Sequence, residues 1–326
     1  MDNRTADPGE TVDRTGLDSP VRGVCPVVEV PFHEDESLDL DGFGTVIDRL
    51  LGSGVNAMMF PGFASEVHKL ADAERVELRE MLLRRTRTRP DITGVVSLPD
   101  HATVHAVRAA TEAARGGADV LNVLPPHQLA PARSAILDHL AAVLRAVAPL
   151  PVIVQYAPAQ TGTALDPATL RRLAARHPNL AAVKVESTPP GAFISALAAS
   201  GDDDGRPLPA LVGYGGLQMI DAMRRGAAGV QPGCSFPELY LAIWRDWHAG
   251  RRQEAIRLHT RMLPYLSYWM QSVELIVAAE KDISRRRGWI ATDRCRAPGH
   301  DLDAEEHAMI DRFLTEFTEL LPPATT

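Results

Sequence analysis

The stretch QYAPAQTGTALDPATLRRLAARHPNLAAVKVES, residues 155–187, decides the fold. It begins in the tail of an apolar run, PVIVQYAP, passes through an amphipathic segment, DPATLRRLAARHP, and closes on a second apolar run, LAAVKVES. Asp166 followed by Pro167 is a helix-start signal, because a carboxylate caps free backbone N–H groups and proline at the first helical position gives up no bond. Two apolar runs joined by one helix form a crossover unit whose strands run parallel. Both runs are apolar almost throughout, as strands buried on both faces are.

The same unit repeats outward in both directions. Eight candidate strands occur from Val24 on: VCPVVEVPF, VNAMMFPG, ITGVVSLP, DVLNVLPP, PVIVQYAP, LAAVKVES, ALVGYGG and AAGVQPGCS. Helical patterns such as ADAERVELREMLLRRTR, TVHAVRAATEAARGG and ARSAILDHLAAVLRAVA lie between them. Eight alternating units predict a closed (β/α)8 TIM barrel, and the lack of a GxGxxG after the first strand argues against a nucleotide-binding open sheet. After the eighth strand come FPELYLAIWRDWHAG and further helical segments, with no Ser/Gly/Pro-rich linker to separate them. The expected organisation is a flexible tail over residues 1–20, a barrel over 21–250 and a helical extension over 251–326 packed on the barrel. The basic run Lys281, Arg285, Arg286 and Arg287 reads as a solvated helix end.

The 326 residues are 45% hydrophobic and 23% charged, an ordinary globular composition that needs no disulfide or metal staple. Cys25, Cys234 and Cys295 are far apart and odd in number, so no disulfide framework or zinc ribbon is expected. A net charge of −8 argues against general nucleic-acid binding, and no apolar run approaches a membrane span. The polar first twenty residues lack the apolar core of a signal peptide, and the expectation is a cytoplasmic protein.

In barrels of this kind the active site gathers at the carboxyl ends of the strands. Lys184 stands there, inside a short apolar strand, where an unpaired ammonium is costly to bury. Two readings are open from position alone. Lys184 pairs with a carboxylate such as Glu186 or Glu66, or burial disfavours its charged form and leaves an amine able to attack a carbonyl.

The stretch quoted at the outset resembles the core of the dihydrodipicolinate synthase and N-acetylneuraminate lyase family. In that family a tyrosine ending the fifth strand precedes a Pro-containing loop and a TG pair; a helix, an HPN turn and a strand bearing the Schiff-base lysine follow. The matching residues are Tyr156, Pro158, Thr161-Gly162, His177-Pro178-Asn179 and Lys184. GVCPVVEVPF resembles the family's opening strand, and GFASEVHKLADAER stands where its GTTGE loop begins. The resemblance implies an imine between Lys184 and a pyruvate-like 2-oxo acid, with Tyr156 as the second catalytic residue, handling protons. It further implies substrate contacts from Phe63, Ala64, Ser65, Glu66, His127, Gln160, Glu186, Gly213 and Tyr214. No cofactor and no metal are implied; the partners are a small-molecule 2-oxo acid and an aldehyde, and the assembly is a homotetramer or homodimer.

Three departures bear on the substrate. Phe63 and Ala64 replace threonines that help hold the oxo acid's carboxylate; the backbone N–H groups of Ala64 and Ser65, or the Ser65 hydroxyl, are the available substitutes. Gln160 replaces an arginine that grips a second carboxylate, and a glutamine offers no charge-assisted bidentate pair. His127, in PPHQ, stands near a tyrosine position of the family and is either a proton shuttle or a plain loop histidine. Together they suggest an acceptor, or leaving aldehyde, without a second carboxylate. The rival readings are a dehydratase or hydratase using the same imine, a metal-dependent aldolase using His101 and His105, and a barrel that binds an oxo acid without turning it over.

Overall fold

The computed structural model describes residues 17–162, 165–199 and 205–321. The strands are β1 (Gly23–Val24), β2 (Ala57–Phe60), β3 (Thr93–Leu98), β4 (Val120–Val123), β5 (Val152–Tyr156), β6 (Leu180–Val185), β7 (Ala210–Val212) and β8 (Gly229–Val230). All pair in parallel, in the order β1-β8-β7-β6-β5-β4-β3-β2. A parallel bridge between Val27 and Met59, with the Val28 N–H donating to Met59 at 2.9 Å, brings the two ends together into a (β/α)8 barrel.

Helices α1 (Leu40–Ser53), α2 (Asp72–Thr86), α3 (Thr103–Arg115) and α4 (Arg133–Val147) follow the first four strands. A short turn of helix, α5 (Pro158–Thr161), and α6 (Pro167–Arg176) follow β5; α7 (Gly191–Ala198), α8 (Met219–Arg224) and α9 (Pro237–His248) follow the last three. Asp166 caps α6 as its sequence predicts, accepting the Thr169 N–H at 2.7 Å. Asn179, in the HPN turn, donates to Leu144 and Leu150 carbonyls and so ties the entry of β6 to α4 and its exit loop.

The pleat sorts side chains into two apolar layers. Met59, Val95, Val120, Ile153, Ala182 and Leu211 fill the barrel interior. Val152, Val154, Val183 and Val185 face outward and pack with helix residues such as Leu140, Leu170 and Ile194. This parity fixes which residues of each strand can reach the active-site end of the interior.

Three more helices, α10 (Arg252–Trp269), α11 (Val273–Arg286) and α12 (Ala304–Glu316), complete the chain. Here the solvated-end reading of the basic run is overturned. Lys281 is fully buried, with its ammonium paired to Glu66 beside β2 and donating to the Arg294 carbonyl at 2.9 Å. Arg287 is buried against Glu238 at 2.6 Å, and Arg285 and Arg286 both pair with the buried Asp282. The physical reason is that α11 is covered from Leu275 to Ser284, so its charges find partners inside the protein. Of the expected tail, residues 1–16 lie outside the described residues, whereas Ser19 is buried and donates to the Val21 carbonyl at 2.7 Å. No helix among the described residues is long and apolar enough to cross a membrane.

Candidate active site

Lys184 in β6 and Glu186, the residue just past its end, lie on the same, inward side, two residues apart. Lys184 is 3% exposed, and its Nζ lies 3.3 Å from Glu186 Oε1. The parallel register sets Gln155 of β5 directly beside Lys184. A chain of buried polar groups runs from there across the barrel. Gln155 Nε2 donates to Glu186 Oε2 at 2.6 Å, while Asn122 Nδ2 lies 2.9 Å from both Gln155 Oε1 and Ser97 Oγ. Glu186 Oε1 also takes the Tyr214 N–H at 3.3 Å. Gly213 belongs to this arrangement through its lack of a side chain, since a Cβ there would stand 2.4 Å from the Glu186 carboxyl group.

A cavity opens over Lys184. Phe63, Ala64, Gln160, Glu186 and Tyr214 line it, so five of the expected contact residues do converge on the lysine. Its remaining walls come from Val27, Gly215, the segment Gln231–Gly233, and Met270 with the α11 residues Val273, Ile276 and Glu280. Those three α11 residues recur at helical spacing and present one face. Gln231 is 2% exposed, and its Nε2 is directed to the sulfurs of Cys25 and Met59. That leaves its Oε1 without a hydrogen-bond partner among the described residues, as is Oε1 of Gln160.

Several expected site residues lie elsewhere. Tyr156 does not line the cavity. The pleat that points Gln155 inward points Tyr156 outward, where its ring stacks on Phe193 of α7 at 4.4 Å between centroids. Burial, and secondarily the Asp166 carboxylate, pushes its phenol above the ordinary value and away from proton exchange near neutrality. Tyr156→Phe, which keeps the stack, is therefore expected to leave imine formation and turnover within about threefold of wild type; a loss of a hundredfold in either would show that the phenol acts in the reaction.

Ser65 is also withdrawn from the cavity. Its hydroxyl donates to the Val28 carbonyl at 2.5 Å and accepts the Gly62 N–H, and its own N–H is taken by the Gly62 carbonyl at 3.0 Å. Glu66, fully buried, pairs with Lys281 and with Lys69 at 3.0 Å, and accepts the Arg296 N–H. Its role is to anchor the loop, and it has no access to a substrate. His127 follows β4 and is not among the residues lining the cavity; its N–H, like that of Gln128, donates to His101 Nδ1. His105 lies on a separate groove between α2 and α3, which shares no residue with the lysine cavity. Among the described residues no group of three or more His, Cys, Asp or Glu side chains could hold a metal ion.

Residues that the motif reading passed over make up much of the site: Gln155, Asn122, Gln231 and Glu280. A polar residue at the inward position of an apolar strand was the available signal for the first three. Glu280 is 5% exposed and Glu29 1%. Desolvation raises them to about 8 and about 7. The Glu280 rise is reinforced by Glu29; Glu29 feels the Ser284 hydroxyl, Lys281 and the Cys234 thiol in one direction and Glu66 in the other. Neither Glu29 oxygen reaches a donor at hydrogen-bonding geometry among the described residues. Because both folded values lie above the unfolded one, the native state holds more protons between roughly pH 4.5 and 8, and stability is lost as pH rises through that window. Glu29→Gln should gain stability relative to wild type from pH 5 to 7, by up to about 1.4 kcal/mol per pH unit in urea titrations. A difference that does not change with pH would place the Glu29 titration outside this window.

The profile of the dihydrodipicolinate synthetase family matches residues 20–317. A 4-hydroxy-tetrahydrodipicolinate synthase of Streptomyces coelicolor is 31% identical over 253 residues, 76% of this chain and 78% of its own. A protein of Escherichia coli named probable 2-dehydro-3-deoxy-D-pentonate aldolase is 28% identical over 243 residues, 74% of this chain and 79% of its own. The crystal structure of dihydrodipicolinate synthase from Rhodopseudomonas palustris shares the fold, with a TM-score of 0.83 at 24% identity over 92% of this chain and 99% of that one. The match along the whole barrel and the identity to these relatives establish that the chain belongs to the dihydrodipicolinate synthetase family of lyases.

Proposed function

We propose that the protein is a Schiff-base lyase of the aldolase type, in which Lys184 forms an imine with a pyruvate-like 2-oxo acid and the partner aldehyde carries hydroxyl groups and no second carboxylate. The observation that carries the aldehyde half is the lining of the cavity. Among its described residues Lys184 is the sole cation, so nothing there would pair with a second carboxylate once the lysine is an imine. Gln231 and Gln160 line it with amide groups whose oxygens have no hydrogen-bond partner among the described residues, which favours a ligand bearing hydroxyl donors. The likeness to the protein named as a pentonate aldolase points the same way.

The imine half rests on a lysine held at the end of β6 by Glu186, which keeps Nζ aimed into the cavity. Gln155, Asn122 and Ser97 hold Glu186 in turn. The reading carries with it a cytoplasmic homodimer or homotetramer, which sedentation of the purified chain by analytical ultracentrifugation checks for oligomeric state.

Incubation with pyruvate and with larger 2-oxo acids, followed by borohydride and peptide mass analysis, tests the imine. A reduced adduct confined to Lys184 is expected, and its absence with every oxo acid would remove the Schiff-base reading. Competition of glyceraldehyde against aspartate semialdehyde, each with pyruvate, tests the acceptor. Glyceraldehyde is expected to be consumed faster, and preference for the semialdehyde would overturn the acceptor class.

A further inference from the structure

Imine chemistry needs a group that moves protons at the carbon next to the imine, and the tyrosine nearest in sequence faces the wrong way. The inward position beside Lys184 holds Gln155, whose amide neither gives nor takes a proton near neutrality. Glu186 is engaged by Lys184, by Gln155 and by the Tyr214 N–H. Another carboxyl group lines the same cavity: Glu280, brought in from α11.

Two features show that its approach is built in. Gly233, also on the cavity wall, leaves the room Glu280 occupies, since a Cβ there would lie 1.7 Å from its Oε2. The Cys234 N–H then fixes that oxygen at 3.0 Å. Glu29, buried and without a hydrogen-bonding donor among the described residues, lies close enough to act electrostatically on Glu280.

We infer that Glu280 is the catalytic acid–base of this site, exchanging the C3 proton of the substrate while it is bound to Lys184 as an iminium; the inference rests on the Schiff-base reading above. The Glu280 carboxylate takes a proton from C3. The C3–H electron pair becomes the C2=C3 double bond, the C=N π pair settles on nitrogen, and a neutral enamine and a protonated Glu280 result. The reverse step returns the proton, or a solvent deuteron, to C3. No oxidant or further reactant is needed. A carboxyl group pushed up to about 8 by burial is well matched to this exchange near neutrality, since it is a stronger base when ionised than an exposed glutamate.

The test uses pyruvate as the only substrate. Methyl-proton exchange is followed by NMR in deuterated water, and imine formation is followed separately by borohydride trapping on Lys184. Wild type is expected to exchange and to trap. Glu280→Gln is expected to trap while exchange falls by about a hundredfold or more. Gly233→Ala, whose added methyl group must push the carboxyl group out of place, should do the same by an independent route. Exchange within about threefold of wild type in a trapping Glu280→Gln protein overturns the inference and leaves the Schiff-base reading intact. A folded Glu280→Gln protein that no longer traps overturns it too, because Glu280 would then act before the iminium. Should Glu280→Gln not fold, Gly233→Ala decides, and retained exchange in it counts against Glu280. Failure of wild type to trap any oxo acid is the separate result that removes the underlying reading.

Discussion

Lys184→Met, mixed with pyruvate and borohydride, is expected to carry no reduced adduct, and its pyruvate methyl-proton exchange should fall by about 10^4-fold or more. A change of that size corresponds to roughly 5.5 kcal/mol of lost barrier lowering. The nucleophile is a covalent participant, so nothing else in the cavity replaces it; the neighbouring inward side chains are an amide, Gln155, and a carboxylate, Glu186. Methionine keeps the unbranched apolar stem within β6, and Glu186 retains Gln155 Nε2 and the Tyr214 N–H as partners. The variant should therefore fold. Lys184→Arg serves as control, since it keeps a cation beside Glu186 and still cannot form the imine. An adduct that persists in Lys184→Met, on another lysine, would move the chemistry away from β6.

The second large effect is on stability. Lys281→Met is expected to destabilise the protein by about 3–5 kcal/mol, the range for removing one partner of a buried ion pair. Glu66 would be left fully buried, with Lys69 and the Arg296 N–H as its remaining partners. The Lys281 ammonium also lies over the Phe32 ring at 4.3 Å and bonds the Arg294 carbonyl, so three segments loosen together. A fall in thermal midpoint of roughly 5–10 °C would accompany it. Replacing both members, Glu66→Gln with Lys281→Met, should cost less than the sum of the two, because no charge is left stranded. Additive losses would mean that the pair acts separately on each side.

The barrel was legible because its signal is local and repeated. Eight apolar runs separated by amphipathic ones need no knowledge of distant contacts, and Lys184 stood out as a charge within such a run. The outward orientation of Tyr156 is not legible in the sequence for an equally local reason. A motif identifies a residue type near a strand end, while the pleat decides which of two neighbours enters the barrel, and the register with Lys184 selects Gln155. Extending the alternation two residues at a time along each strand would have picked out Gln155, Asn122 and Gln231 without a structure. Glu280, Lys281 and Arg287 were beyond that kind of reading. Their surroundings come from Gly233, Glu66 and Glu238, whose positions along the chain carry no hint of the meeting.

Helix α11 offers its cavity wall and its anchor from adjacent positions: Glu280 enters over Gly233, and Lys281 takes hold of Glu66 at the end of the loop that carries Phe63 and Ala64. A rigid rod cannot move one of these without the other. For anyone retargeting the enzyme, the Phe63–Glu66 loop and α11 thus form one exchangeable cassette. Grafting the loop of a relative alone would strand Lys281, whereas swapping loop and helix as a unit would transfer a complete substrate wall together with its own fastening.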